Sequence, residues 1–312
     1  MLLSLAAVLL SASQGWLLYY GDAEAHLDTA RRIVDSQTPG YDQIGTVWLP
    51  LLHWLMLPFV RVDAWWRSGI AGAIPSAACF VIGGTFLFAA SRRLFQSTPA
   101  AVTATALYAL NPNLLYLQTT PMTEPYFLAC LMALLYFTVR FRKTQGWGAL
   151  IAAGLAALGG TLARYDGWFL LPFVAAYLFY IAKRRRVAVA AIFCAIAGLG
   201  PLYWLAHHWW LTGDPIAFYR NAYSARAIQG DAGYPGKDDW RAAWLYYRTA
   251  AQPSPSPLPW RPGCGARHPK SGWSGRRRTT TIKAAANGPA RPRNTWRRAT
   301  CAVPASSARP AL

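Results

Sequence analysis

Charge is what this sequence has least of. Asp, Glu, Lys and Arg make up 14 % of its 312 residues, against about 25 % in ordinary soluble domains. Hydrophobic residues make up 54 %, which points to a membrane protein before any motif is read. The five cysteines show neither metal-ligand spacing nor a disulfide framework. Cys79, Cys130 and Cys194 fall in apolar runs and read as small buried apolar residues. Met1 to Gly21 carries no charge at all. From Pro253 to the end there is no acidic residue, beside twelve Lys or Arg. The formal charge of +19 is therefore uneven: residues 1–252 hold nineteen basic and all twelve acidic residues.

Long charge-free runs are what remains. They cover Ser68 to Ser91, Leu94 to Thr123 (broken near Asn111-Pro112-Asn113), Pro125 to Val139 (a span that extends back through Pro121), Thr144 to Ala163, Gly167 to Ala182 and Val187 to Gly213. A spanning helix needs roughly 17–25 apolar residues. Gly167 to Ala182 is short, but Trp168 and a snorkelling Lys183 extend it. Met1 to Gly21 is either a retained first helix or a signal peptide, and its uncharged start favours the helix. The sequence thus predicts an all-α polytopic membrane protein of about seven spans. Trp48 to Val60 is too short to cross and reads as a re-entrant or surface segment.

Basic residues set the orientation. Arg92-Arg93, Arg140 to Lys143 and Lys183 to Arg186 occupy alternate turns and hold no acid. The positive-inside rule places all three in the cytoplasm. Every acidic residue then falls on the outer side, and the chain is expected in the cell (inner) membrane. The outer first loop, 21–67, carries six of the twelve acids. It opens with an amphipathic helix. Asp22 is expected as its N-cap, Glu24 lies in its first turn, and Ala23, Leu27, Ala30 and Val34 form an apolar stripe.

Two domains are expected: 1–252 in the membrane, and a Pro- and Arg-rich tail, 253–312. The tail holds ten Pro and ten Arg with one Ile, two Leu, one Val and no Phe or Tyr, so it cannot build a core or a span. It is read either as a frameshift product of GC-rich DNA or as a genuine disordered basic tail. Its outer side argues against nucleic acid as a partner.

Three polar groups converge on the outer side: Asp22, Glu24 and His26; Glu124 in TTPMTEPYF; and Arg164 with Asp166 in LARYDGW. Charges at membrane-helix ends facing a shared cavity are functional candidates. A carboxylate there can deprotonate a hydroxyl, and an arginine can hold a phosphate bidentately. Plainer readings stand beside these. Asp22 could only cap, Glu24 only complement the helix dipole, and Arg164 and Asp166 only pair. His26 and His53 could be interface polar residues, and His207 and His208 could snorkel.

Asp-x-Glu after the first span, then an amphipathic helix and WLPLLHWLMLP, resembles the GT-C glycosyltransferases. It is most similar to the protein O-mannosyltransferase and aminoarabinose transferase group (glycosyltransferase family 39-like). TEPYF and LARYDGWFLLP resemble that group's outer turns, and the likeness covers Met1 to Gln252. The resemblance implies an inverting transfer of a hexosyl or pentosyl group from a polyprenyl-phosphate-linked sugar to a protein, lipid or glycan acceptor. It implies Asp22 as the base and Glu24 as its support or as a ligand to a divalent metal. Glu124, Arg164, Asp166 and His26 would bind substrate. That family has further spans, so the chain reads as a truncated transferase. The competing classes are a multi-span transporter or flippase, which the lack of mid-span charge disfavours, and a non-catalytic fragment.

Overall fold

The computed structural model describes residues 1–220, 224, 227 and 239–250. The expected tail at 253–312 lies outside the described residues. The chain divides into two units, Met1–Lys237 and Asp238–Leu312. In the second, helix Trp240–Ala250 is described.

The first unit is all-helical among the described residues. In order come α1 (Leu2–Ser13), α2 (Gly21–Val34), a 3₁₀ turn (Tyr41–Ile44), α3 (Leu51–Val60), α4 (Asp63–Ser68) and α5 (Ile70–Phe95). Then follow α6 (Thr98–Ala109), α7 (Pro112–Leu117), α8 (Glu124–Thr144), α9 (Trp147–Ala163), α10 (Asp166–Ile181), α11 (Arg186–Ala197), α12 (Leu199–Thr212) and α13 (Ala217–Arg220). Three stretches are long and apolar enough to cross a membrane: α5, α8 and the run Arg186–Thr212. The chain is thus a multi-span helical membrane protein. The expected seven spans are not all of full length. Helix α1 has 12 residues and stops before Gly15, whose φ of +71° breaks the chain direction. Helices α9 and α10 have 17 and 16 residues.

The break at Asn111-Pro112-Asn113 is present and local in origin. Asn111 accepts from the backbone N–H groups of Asn113 and Leu114, and Pro112 starts α7. The three basic turns gather at one end of the bundle. Lys143 donates to the Arg93 carbonyl. The Lys183 N–H donates to Gln145 Oε1 at 3.0 Å, and Gln145 Nε2 donates to the Ile181 carbonyl at 3.3 Å. Arg92, Arg93, Arg142 and Lys143 thus occupy the last turns of α5 and α8, where cations complement the helix dipole.

Small residues bring the helices together. Ala149, Ala153 and Ala157 on α9 are buried against Phe141, Leu178 and Phe193. A methyl group at Gly154 would stand 3.0 Å from Ile196 Cβ. This is how membrane helices gain contact where apolar burial offers little. Cys79 and Cys130 are half-buried, but Cys194 is exposed on α11 rather than buried as expected.

A second core fixes the loop of residues 21–67. Leu27 and Ala30 of α2 meet Leu52, Met56 and Val60 of α3, together with Ala71, Tyr126 and Ala163 from α5, α8 and α9. The apolar stripe read from the sequence therefore rests on helices. Arg31 fastens the far end of α2 by pairing with Asp35 and Asp63 and donating to the Val60 carbonyl. Trp66 Nε1 donates to Asp28 at 3.0 Å.

Candidate functional site

Four helix ends meet above the bundle. Helix α2 begins at Gly21 with Tyr20 as its N-cap, so Asp22 is not the cap expected from the sequence. It lies one residue inside, exposed, in the first turn. Glu124 is the first residue of α8, after Thr123. The turn leading to it is held by Ser76 of α5, which donates to the Thr120 carbonyl at 2.8 Å. Arg164 follows α9 and Asp166 begins α10, with Tyr165 between them. So tight a reversal needs Gly167. A methyl group there would sit 2.6 Å from the Gly160 carbonyl oxygen and 2.9 Å from the Thr161 nitrogen.

Arg164 gathers the others. Its Nη1 donates to Glu124 Oε1 at 2.7 Å and Thr123 Oγ1 at 3.0 Å, and its Nε donates to Asp166 at 2.8 Å. Nη2 makes no hydrogen bond among the described residues. Glu124 Oε2 is buried without a partner there.

Two cavities share this cluster. The first is a cleft of about 230 Å³ lined by Asp22, His26 and Trp48 on one side and by Glu124, Arg164 and Asp166 on the other. The second, about 400 Å³, contains the same three charged residues. Its remaining wall is apolar: Leu114, Phe127, Leu128, Phe169 and Leu170. Five of the six residues singled out in the sequence thus line one cleft. Glu24 does not. It is exposed and two positions from Asp22, which on a helix points it to the opposite side. The expectation that Glu24 supports Asp22 is therefore not met by the geometry.

His26 is 3 % exposed and its ring lies 4.3 Å from that of Trp48. Its Nδ1 is 3.2 Å from Nε2 of His53, which is fully buried. Burial disfavours the imidazolium and lowers His26 from 6.5 to about 4. His53 is lowered well below its ordinary value, first by burial and then by His26. Neither is the interface polar residue that a plain reading gives. His207 and His208 are likewise buried rather than snorkelling. His207 donates Nε2–H to the Gly45 carbonyl at 3.0 Å, tying α12 to the loop.

Sequence reasoning missed Thr123, Tyr165 and the specific place of Trp48 on the cleft wall. The first two flank Glu124 and Asp166, which was the available signal. Tyr165 Oη accepts from Trp204 Nε1 at 2.8 Å and donates to the Val47 carbonyl at 3.4 Å. Among the described residues no three or more His, Cys, Asp or Glu side chains are grouped to hold a metal ion. A divalent metal at Glu24 therefore finds no fitting donor set among the described residues.

Residues 41–210, more than half of the chain, match the family described as dolichyl-phosphate-mannose-protein mannosyltransferase. The matched span takes in Glu124, Arg164 and Asp166 and begins after Asp22 and His26. No curated protein and no solved structure matches the chain.

Proposed function

The chain belongs to the dolichyl-phosphate-mannose-protein mannosyltransferase family, and on that premise we propose an inverting glycosyltransferase that takes its sugar from a polyprenyl-phosphate carrier. One observation carries the reading. The Glu124–Arg164–Asp166 cluster is common to a polar cleft and an apolar groove. A lipid-linked sugar has that same division. Its chain fits the wall of Phe127, Leu128 and Phe169, its phosphate fits Arg164, and its sugar fits the cleft beside Asp22.

Asp22 acts as the general base. The acceptor hydroxyl loses its proton to the Asp22 carboxylate while its oxygen bonds to the anomeric carbon. The bond from that carbon to the phosphate oxygen breaks, and the electron pair leaves with the polyprenyl phosphate. Attack opposite the leaving group inverts the centre. Arg164 is held by Glu124 and Asp166 through Nη1 and Nε, which leaves both Nη2 protons for the phosphate. Glu124 and Asp166 orient the guanidinium.

In this reading residues 1–252 form the transferase domain, 253–312 a separate tail, and α2 to α4 the catalytic loop on the outer side of a cell membrane. The basic turns gathered at the opposite end support that orientation. With α1 and the broken α6–α7 pair counted as crossings, the spans number seven.

The test is Asp22→Asn in membranes supplied with radiolabelled polyprenyl-phosphoryl sugar. Transfer should fall by roughly 10²–10⁴-fold, with insertion into the membrane unchanged. Normal turnover by this variant would sink the assignment of Asp22.

A further inference from the structure

Helix α8 starts at the cleft with Glu124 and ends among cations. Arg92-Arg93, Arg140 to Lys143 and Lys183 to Arg186 contain nine Lys or Arg, and all nine are exposed. None of them has an acid. Every ion pair among the described residues uses Arg31, Arg67, Arg164 or Arg220 instead. The helices leading to this end offer no counter-ion, because no acidic residue lies between Asp63 and Glu124, between Glu124 and Asp166, or between Asp166 and Asp214. The three turns are fastened into one surface, through the bonds of Lys143 to the Arg93 carbonyl and of Gln145 to the Lys183 N–H and the Ile181 carbonyl. Gln96 and Gln145 end α5 and α8 in the left-handed conformation, with φ of +56° and +52°, so each helix stops within three residues of its cations. Arg140, Arg142, Lys183, Arg184 and Arg185 donate no side-chain hydrogen bond among the described residues.

Large apolar side chains stand open among these charges. Phe95 is 61 % exposed, Tyr180 77 % and Val187 74 %, and each lies within three residues of a Lys or Arg. The Arg93 guanidinium carbon stands 5.1 Å from the centroid of the Tyr136 ring on α8. Positive charge interleaved with uncovered apolar surface is complementary to the level of a bilayer where anionic headgroups meet acyl chains. A nucleic acid or a free phosphate would match the charges and leave Phe95, Tyr180 and Val187 in water. We propose that this end of the bundle binds anionic phospholipid, with the headgroup phosphate on Arg140, Arg142 and the turn of Lys183 to Arg185, and the acyl chains against Phe95, Tyr180 and Val187. The bias of basic residues that sets orientation accounts for the sign of these turns. It does not account for their being joined to one another beside open apolar side chains. The surface lies away from Asp22 and Arg164, so it is independent of the transferase reading.

The experiment offers the full chain, in detergent micelles, an equimolar mixture of phosphatidylglycerol and phosphatidylcholine, and reads the bound lipid by mass spectrometry. Phosphatidylglycerol should be enriched about tenfold or more. Arg142→Gln, Lys183→Gln and Arg184→Gln in one chain should lower that enrichment by at least about fivefold, while the other basic residues of the three turns keep the orientation. Arg142→Lys with Lys183→Arg and Arg184→Lys, which retains every charge, should bind as the natural chain does. Equal uptake of the two lipids by the natural chain overturns the proposal, and so does an enrichment that the Gln variant leaves unchanged. If the Gln variant does not fold, the natural chain decides. Exposed cations are screened by salt, so the enrichment must fall between about 0.1 M and about 1 M NaCl, and one that persists overturns the proposal. Displacement of the lipid by inorganic phosphate or by an oligonucleotide at constant ionic strength makes the occupant a soluble anion and overturns it as well.

Discussion

Nη1 of Arg164 lies 2.7 Å from Oε1 of Glu124 and joins the end of α9 to the first turn of α8 across 40 residues of sequence. Asp166 takes Nε of the same guanidinium. Both pairs are partly open to solvent, so their share of stability is small, about 0–1 kcal/mol. Their effect on activity should be larger. A lysine has a single ammonium and cannot hold both carboxylates and a phosphate. Arg164→Lys is expected to lose transfer by roughly 10²-fold with thermal unfolding in detergent nearly unchanged. Near-normal transfer by Arg164→Lys would show that a point charge is enough and remove the bidentate role.

Glu24 separates the position of a carboxylate from its mere presence. It is exposed and absent from the cleft wall, although it lies two residues from Asp22. Glu24→Gln should retain transfer within about twofold and lose about 0.3–1 kcal/mol from the first turn of α2. A loss as deep as that of Asp22→Asn would return Glu24 to the site.

Gly167 is a prediction about the frame. A methyl group there collides with backbone atoms of Gly160 and Thr161, which no side-chain rotation relieves. Gly167→Ala should cost about 1–3 kcal/mol and lower the unfolding temperature. It should also reduce transfer, because Arg164 and Asp166 sit on this tight reversal. An unchanged unfolding temperature would mean that α9 and α10 do not meet as closely as 2.6 Å here.

Acid should weaken the fold through His26. Its folded value is about 4 against 6.5 when unfolded. Between those values the unfolded chain binds more protons, so stability rises with pH. The contribution is complete above pH 6.5 and is lost as pH falls toward 4. It amounts to at most about 3 kcal/mol, and His53 acts in the same direction. Unfolding temperatures at pH 7.5 and 4.5 check this, with His26→Gln flattening the difference. An equal slope in that variant would move the origin elsewhere.

The sequence by itself determined what is local. Charge-free runs mark where helices lie, because hydropathy and the 3.6-residue period act over neighbouring residues. The stripe of Leu27 and Ala30 and the stop at Asn111-Pro112 were legible for that reason. So was the convergence of Asp22, Glu124, Arg164 and Asp166 at the helix ends opposite the basic turns, since alternation of those turns along the chain says which ends share a side. The rotation of each helix about its own axis was not legible. Packing of Leu27 and Ala30 against Leu52 and Met56 turns Asp22 and His26 into the cleft and leaves Glu24 out. The same packing sets His26 against His53, 27 residues away, and Gly167 against Gly160 brings Asp166 to Arg164. Contacts of that length depend on how side chains from separate helices interlock, and only the tertiary structure decides them.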